Sequence, residues 1–258
     1  MIDSGPGYFS LRDRDLRAEG LLVAEGRLLV ERALVAKLDP LAVYASSEAY
    51  SDAERLVGGR VPVEVLDARQ FLELAGYAFH RGLIGIFARP SISRLDPAAF
   101  HSSRLLVLPS ITDPGNLGTL LRSALAFGWD AVALGTGGAD PFNRKSLRGS
   151  MGAALSLSLF MAGPDDLVGL RERGYEVLAA SLEDGARVAS PRPLSDDVPS
   201  REGVAREKRR VLVLGNEFFG IDDEWRAGCD GAVMIPIRDG VDSLNVAVAG
   251  SLLLWALG

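Results

Sequence analysis

Cysteine and histidine are almost missing from this chain of 258 residues: one Cys, Cys229, and two His, His80 and His101. A lone thiol excludes an intramolecular disulfide, and three scattered residues leave no set for a structural zinc or a His-based metal site. Long apolar runs are lacking too. The C-terminal stretch 244–257 stops short of the ~18 uncharged residues a membrane span needs, and residues 1–7 lack the charged-then-apolar order of a secretory leader. The expectation is a soluble, cytoplasmic protein with no metal and no membrane partner. A basic excess is absent as well. Lys and Arg number 28 against 34 Asp and Glu, a net charge of −6, with 12 against 14 in residues 1–100 and 16 against 20 in residues 101–258. Bulk attraction is therefore not the main grip on any nucleic acid. Such contacts need local patches, and Arg12/Arg14/Arg17, Arg144/Lys145/Arg148 and Arg206/Lys208/Arg209/Arg210 are the candidates, each equally readable as a solvated face. Two enzyme signatures also fail. Gly135-Thr-Gly-Gly lacks the spacing of a dinucleotide fingerprint. Arg148-Gly-Ser-Met-Gly lacks the first Gly of a nucleophile elbow, and no His follows Ser150.

What is present falls into two regimes. Up to about residue 90 the apolar segments are short: 28–36 reads as helix, 41–44 as strand, 53–57 as helix, 63–66 as strand, 68–75 as helix and 83–87 as strand. This is a small α/β module, closed by a linker marked by Pro90, Ser91, Ser93 and Pro97. From Arg104 the apolar runs lengthen. Strand patterns at 105–108, 131–134, 176–180, 211–214 and 232–235 alternate with helical ones, which implies a parallel sheet covered on both faces. Ligands of such sheets sit at the carboxyl ends of the strands. The segment 184–208 stands apart, with three Pro, five Asp/Glu and four Arg but no apolar periodicity; it reads as a surface loop.

Three loops carry the chemistry. The first is 108–122, which opens a helix where Leu117, Leu120, Leu121, Ala124 and Leu125 form one apolar stripe. Arg122 falls off that stripe, one turn beyond Gly118, so its guanidinium can lean back over a bare position towards Asn116. The same spacing also fits an ordinary helix start, capped by Asn116 with Arg122 in solvent. In 211–221 a four-residue apolar strand runs straight into Gly215-Asn216-Glu217. Gly215 permits close approach of a ligand to backbone, and Glu217 places a carboxylate at the strand end. In 234–249, Ser243 and Asn245 stand at the mouth of an almost wholly apolar helix that reads as buried all round, so they need caps or a ligand as partners.

Together these loops resemble the three sequence motifs of the SpoU family of RNA 2′-O-ribose methyltransferases, within the SPOUT superfamily. N-L-G-T-L-L-R (116–122), L-G-N-E-F-F-G-I (214–221) and I-P-I-R-D-G-V-D-S-L-N-V-A-V-A (235–249) match in order and separation. Residues 9–26 and 80–87 more weakly resemble the family's N-terminal substrate-binding domain, whose fold is like certain RNA-binding ribosomal proteins. The resemblance implies an α/β protein with two domains. Residues 1–95 form a small ribosomal-protein-like RNA-binding module. Residues 103–258 form a parallel-sheet domain with a C-terminal trefoil knot, working as a homodimer whose sites both subunits complete.

The resemblance further implies S-adenosyl-L-methionine as cofactor, resting on Leu214, Gly215, Asn216, Ile235, Ile237 and Leu244, with Ala180 and Ser181 closing one side. Arg122 corresponds to the family's essential arginine, and Asn116, Glu217, Ser243 and Asn245 to its polar companions. Arg12, Arg14, Arg17, Arg81, Arg144, Lys145 and Arg148 become candidate RNA contacts. Asn216 stands where many members have Ser or Thr, and Phe218-Phe219 replaces a smaller pair. The implied reaction is methyl transfer to a ribose 2′-hydroxyl, in ribosomal RNA sooner than in tRNA because a separate recognition module is present. Arginine is a poor base, so Arg122 is assigned to a phosphate of the target and to the developing alkoxide. Two other classes compete: a knotted RNA-binding protein without catalysis, and a small-molecule α/β enzyme.

Overall fold

A computed structural model describes residues 13–77, 82–182, 186–189, 209–216, 219–238 and 240–258. The chain divides into two compact units, residues 1–91 with 141–156, and residues 92–140 with 157–258. Composition places a single break between 95 and 103. The structure instead divides the chain at 91/92 and hands a stretch from its middle to the first unit.

The first unit runs α1 (Asp13–Ala18), β1 (Leu21–Glu25), α2 (Arg27–Val35), β2 (Pro40–Ala45), α3 (Tyr50–Val57), β3 (Val63–Val65), α4 (Ala68–Ala75) and β4 (Leu83–Ala88). The expected strands and helices are there within three residues at their ends, and α1 and β1 are additional. The sheet has the order β1-β4-β2-β3, with β4 antiparallel to both neighbours and β2 parallel to β3. α4 starts at a capping box, Asp67 accepting from the Gln70 N–H and Gln70 from the Asp67 N–H, which satisfies two N-terminal donors. Leu16 of α1 and Phe71, Leu74 and Ala75 of α4 pack on Leu21, Tyr44, Ile84 and Ile86 of the strands.

A buried carboxylate explains why residues 141–156 join this unit. Glu25, at the end of β1, is 1% exposed. It accepts a hydrogen bond from the Tyr77 hydroxyl at 2.7 Å and one from Arg148. The Arg144 guanidinium lies 3.7 Å away and also reaches Asp13 at 3.1 Å and the Ala75 carbonyl at 2.9 Å. Both arginines sit on a short helix, Arg144–Gly149, started by the Asn143 side chain. Burial first, and then the bond to Glu25, hold the Tyr77 phenol above its ordinary pKa. A buried charge persists only when paired and hydrogen-bonded, so β1 requires this segment.

The second unit holds β5 (Ser93–Arg94), β6 (Arg104–Leu108), α5 (Pro114–Ala126), β7 (Ala131–Leu134), β8 (Ser158–Met161), α7 (Pro164–Glu172), β9 (Glu176–Ala180), β10 (Arg187–Val188), β11 (Arg210–Val213), α8 (Asp223–Ala227), β12 (Gly231–Met234) and α9 (Val246–Leu257), the Arg144–Gly149 helix being α6. Its eight strands pair in parallel throughout, in the order β10-β12-β9-β11-β6-β7-β8-β5. β8 is an addition to the expected set. The linker is also structured, since β5 pairs with β8. Within 184–208, residues 187–188 form the far edge strand; 184–185 and 190–208 lie outside the described residues.

Odd positions of the central strands, Leu105, Val107, Val211 and Val213, share a core with Leu167, Leu170 and Trp225, while Leu106, Leu108, Leu212 and Leu214 are buried on the other side. Burial on both faces is why these strands read as unbroken apolar runs. α5 and α9 pack together on the second face. The Trp129 indole donates to the Leu254 carbonyl at 3.0 Å and the Ser123 and Ser251 hydroxyls meet at 2.7 Å. A Cβ at Gly250 would stand 2.4 Å from Leu120 Cδ2 and 2.6 Å from Leu214 Cδ1, so only glycine permits this approach. No helix among the described residues is long and apolar enough to cross a membrane.

Candidate active site

β12, β9 and β11 are neighbours, so the loops leaving their carboxyl ends emerge side by side, where a parallel sheet presents its ligand site. With α9 these loops enclose a cleft of about 290 Å3, near the lower end of the ~300–1,000 Å3 common for small-molecule sites. Ala180 and Ser181 line it from β9, Leu214, Gly215 and Asn216 from β11, and Ile235, Ile237, Ser243 and Leu244 from the segment after β12. Every residue assigned above to the cofactor borders this one cleft. The walls are chiefly apolar, with Val233, Val246 and Leu253 added to those loops, a surface that suits a flat heterocycle whose edges meet backbone groups.

Local geometry revises the reason for Gly215. A Cβ there would lie 2.2 Å from the Gly220 carbonyl carbon, because Asn216 and Gly220 form a bridge with reciprocal backbone bonds of 2.7 and 3.0 Å. The side-chain position is filled by the protein's own backbone, while Gly215 itself still borders the cleft. The Asn216 amide donates to the Ser110 carbonyl at 2.9 Å, tying the second loop to the first.

The first and third loops also meet. Asn245 Nδ2 donates to Asn116 Oδ1 at 3.2 Å, 129 residues apart in sequence. Neither Asn116 nor Ser243 caps a helix. Asp113 starts α5, accepting from the Gly115 and Asn116 N–H groups at 2.7 and 2.9 Å, with Pro114 in the first turn. Asn245 starts α9, accepting from Ala247 and Val248 at 3.0 and 3.3 Å. Nor is α9 buried all round: Ala247, Gly250, Leu253 and Leu254 face inward, but Val248 is 50% and Leu252 43% exposed. Arg122 is exposed on α5, outside the cleft lining, and Gly118 one turn before it is buried. Glu217 lies outside the described residues.

The candidate RNA contacts separate into groups. Arg12 and Arg81 lie outside the described residues. Arg14, Arg17 and Lys145 are exposed. Arg144 and Arg148 are turned inward to Glu25, an ion-pair role that local charge counting does not reveal. Cys229 takes no part in the cleft lining, and burial pushes its thiol up to about 11, which keeps it protonated at neutral pH. Besides apolar wall residues such as Leu182, Val233 and Leu253, one charged cleft residue escaped the sequence reading, Arg226 of α8; no local pattern marks it, because α8's docking decides where it points.

Comparison with known proteins bears on the same stretch. The model of the SpoU rRNA Methylase family matches residues 103–255. An uncharacterized tRNA/rRNA methyltransferase of Mycobacterium tuberculosis is 30% identical over 243 residues, spanning 92% of this chain and 80% of that protein. A 23S rRNA guanosine 2′-O-methyltransferase of Bacillus subtilis, RlmP, is 34% identical over 155 residues, 60% of this chain and 57% of that one. Among solved structures, the AdoMet-bound rRNA methyltransferase of Sinorhizobium meliloti aligns with a TM-score of 0.76 at 24% identity, covering 95% of this chain and 90% of its own. That likeness establishes the shared fold.

Proposed function

This chain belongs to the SpoU rRNA Methylase family, and from that premise we propose that it methylates a ribose 2′-hydroxyl of ribosomal RNA with S-adenosylmethionine, acting as a homodimer. The observation that carries the reading is the convergence of all three motif loops on one place. The second and third line the cleft, and the first is bonded to them through Asn116–Asn245 and Asn216–Ser110. The cleft fits the cofactor in kind, with apolar walls for adenine and a few polar groups for the ribose and the tail. Bound there, S-adenosylmethionine supplies the electrophilic methyl group.

The chain's own residues must bring a 2′-hydroxyl into line and ease loss of its proton. Arg122, permanently charged, holds a phosphate of the target nucleotide and stabilises the developing alkoxide. The proton leaves to that phosphate or to water. Asn116 and Asn245 fix the relative position of the two loops that frame this step. Two observations favour the dimer: the half-exposed Val248 and Leu252 share one face of α9, and Arg122 lies outside the cleft of its own chain. A second copy seated on α9 covers that face and brings an Arg122 to the neighbouring cleft. The exposed arginines of α1 and the module that bears them serve RNA recognition. The preference for rRNA rests on this module and on the RlmP likeness, and RNA in the cytoplasm is the matching location.

Mapping 2′-O-methylation across rRNA and tRNA in cells with and without this gene tests the proposal. Loss of one rRNA methylation, restored by the wild-type gene but not by Arg122→Ala, is the expected result. An unchanged rRNA map with a changed tRNA position moves the substrate to tRNA. No change in either overturns the function.

A further inference from the structure

The lining of the cleft is apolar side chains, backbone and neutral polar groups, except at one point. Arg226 is its one charged side chain among the described residues. Its position follows from α8. Trp225 is 7% exposed and embedded in the core with Leu167 and Ile221. Successive helical residues point ~100° apart, so anchoring Trp225 turns Arg226 away from the core, and it emerges into the cleft. Asp222, Asp223 and Glu224, which precede it, are exposed and do not line the cleft.

A cofactor of this class has two unlike ends. Its adenosine is neutral and suits Leu214, Ile235, Leu244 and Leu253. Its amino-acid tail carries a carboxylate, whose withdrawal from water is costly unless a cation receives it. A guanidinium is the group best matched to a carboxylate, since its planar fork offers two parallel N–H donors. Arg226 also has a contact within the protein; with five donors it can keep that contact and still receive a ligand.

We infer that Arg226 is the carboxylate subsite of this cleft, binding the α-carboxylate of the methionine tail and setting which end of the cofactor lies towards α8. The inference rests on the cofactor reading of the cleft and adds a residue outside the three motif loops. The competing role is structural, with Arg226 serving as a counter-charge to the acidic start of α8.

Calorimetric titration of the full chain separates these. The probes are S-adenosylhomocysteine and S-adenosyl-3-thiopropylamine, which keeps the adenosine, thioether and ammonium and lacks only the carboxylate. Wild type is expected to favour S-adenosylhomocysteine by about tenfold or more, the scale of one charge-assisted bond. Arg226→Met is expected to abolish that preference while binding the decarboxylated compound as wild type does, and Arg226→Lys to restore part of it. A thermal melt confirms that each variant is folded. Equal weakening of both compounds in Arg226→Met, or an unchanged preference, overturns the subsite and leaves the cofactor reading intact. Wild-type protein that binds neither compound overturns the cofactor reading and the subsite with it.

Discussion

The two units solve burial differently. Of the four buried polar or charged residues among those described, Glu25, Ser146 and Ser150 belong to the first unit and only Asp166 to the second. The second unit fills both faces of an all-parallel sheet with aliphatic and aromatic side chains and keeps its polar loops at the strand ends. The first unit places a carboxylate inside and closes it with two arginines from a distant stretch of chain. Apolar burial is non-directional and roughly proportional to area, so it holds a scaffold from which loops can vary. A buried ion pair is directional, and breaking it leaves an uncompensated charge. It therefore fixes which segment docks where.

The largest expected effect probes the strand-end loops. Arg122→Ala should lower the methylation rate by ~10²–10³ with the melting temperature unchanged, because the residue is exposed and its proposed contacts are to the target phosphate and the developing alkoxide, not to the core. Near-normal turnover would remove Arg122 from the chemistry. Next comes the uncovered face of the second unit. Val248→Asp leaves a folded monomer, since position 248 is half exposed in the single chain, but it places an unpaired charge in the proposed interface. Dimer dissociation should strengthen by about 10² or more, as read by sedimentation. A stable, active dimer would break the assignment of α9 to that interface.

In the first unit, Glu25→Ala should cost about 3 kcal/mol, the low end for a broken buried pair because both guanidiniums keep some water. Hydrogen exchange should show faster opening of β1 and residues 141–156, with the strands of the second unit protected as before. Glu25→Gln, which still accepts a hydrogen bond, should cost less. Uniform acceleration across both units would dissolve the contrast between them.

The smallest effect concerns a rim ion pair of the second unit. Burial alone would raise the Glu176 pKa, but Arg187 and Arg210 outweigh it and hold the carboxyl below the ordinary value. A lowered carboxylate contributes stability above its unfolded value, near 4.5, and loses it as pH falls through the folded value. Glu176→Gln should then cost no more than ~1 kcal/mol at pH 7, as for other well-solvated pairs. Its melting temperature should converge with wild type in acid. A deficit that persists unchanged at pH 3 would show that the pair is not its source.

Much of this was legible along the chain. Unbroken aliphatic runs at 105–108, 131–134 and 211–214 announce strands covered on both faces, and apolar spacing over 68–75 announces α4. The residues that border the cleft were named through the family resemblance of the three motif loops, and they come together because a parallel sheet sets its strand ends side by side whatever the side chains between them. Short elements were harder to see. β5 and β10 are two residues each, too brief for any period to register; only pairing with a neighbour makes them strands.

By itself the sequence determined the alternation of elements, the parallel sheet, and the three loops that meet at its carboxyl edge, since each depends on local period and turn residues. The tertiary structure alone decided the rest. It turned Arg144 and Arg148 inward, because only the fold sets a buried Glu25 beside them. It made Gly215 a place where two backbone segments touch, and gave α9 an inner and an outer face on a helix apolar throughout. It brought Arg226 into the cleft, because the direction of a side chain on a short helix is set by what its neighbour buries, and Trp225 buries itself in a core assembled from strands far away in sequence.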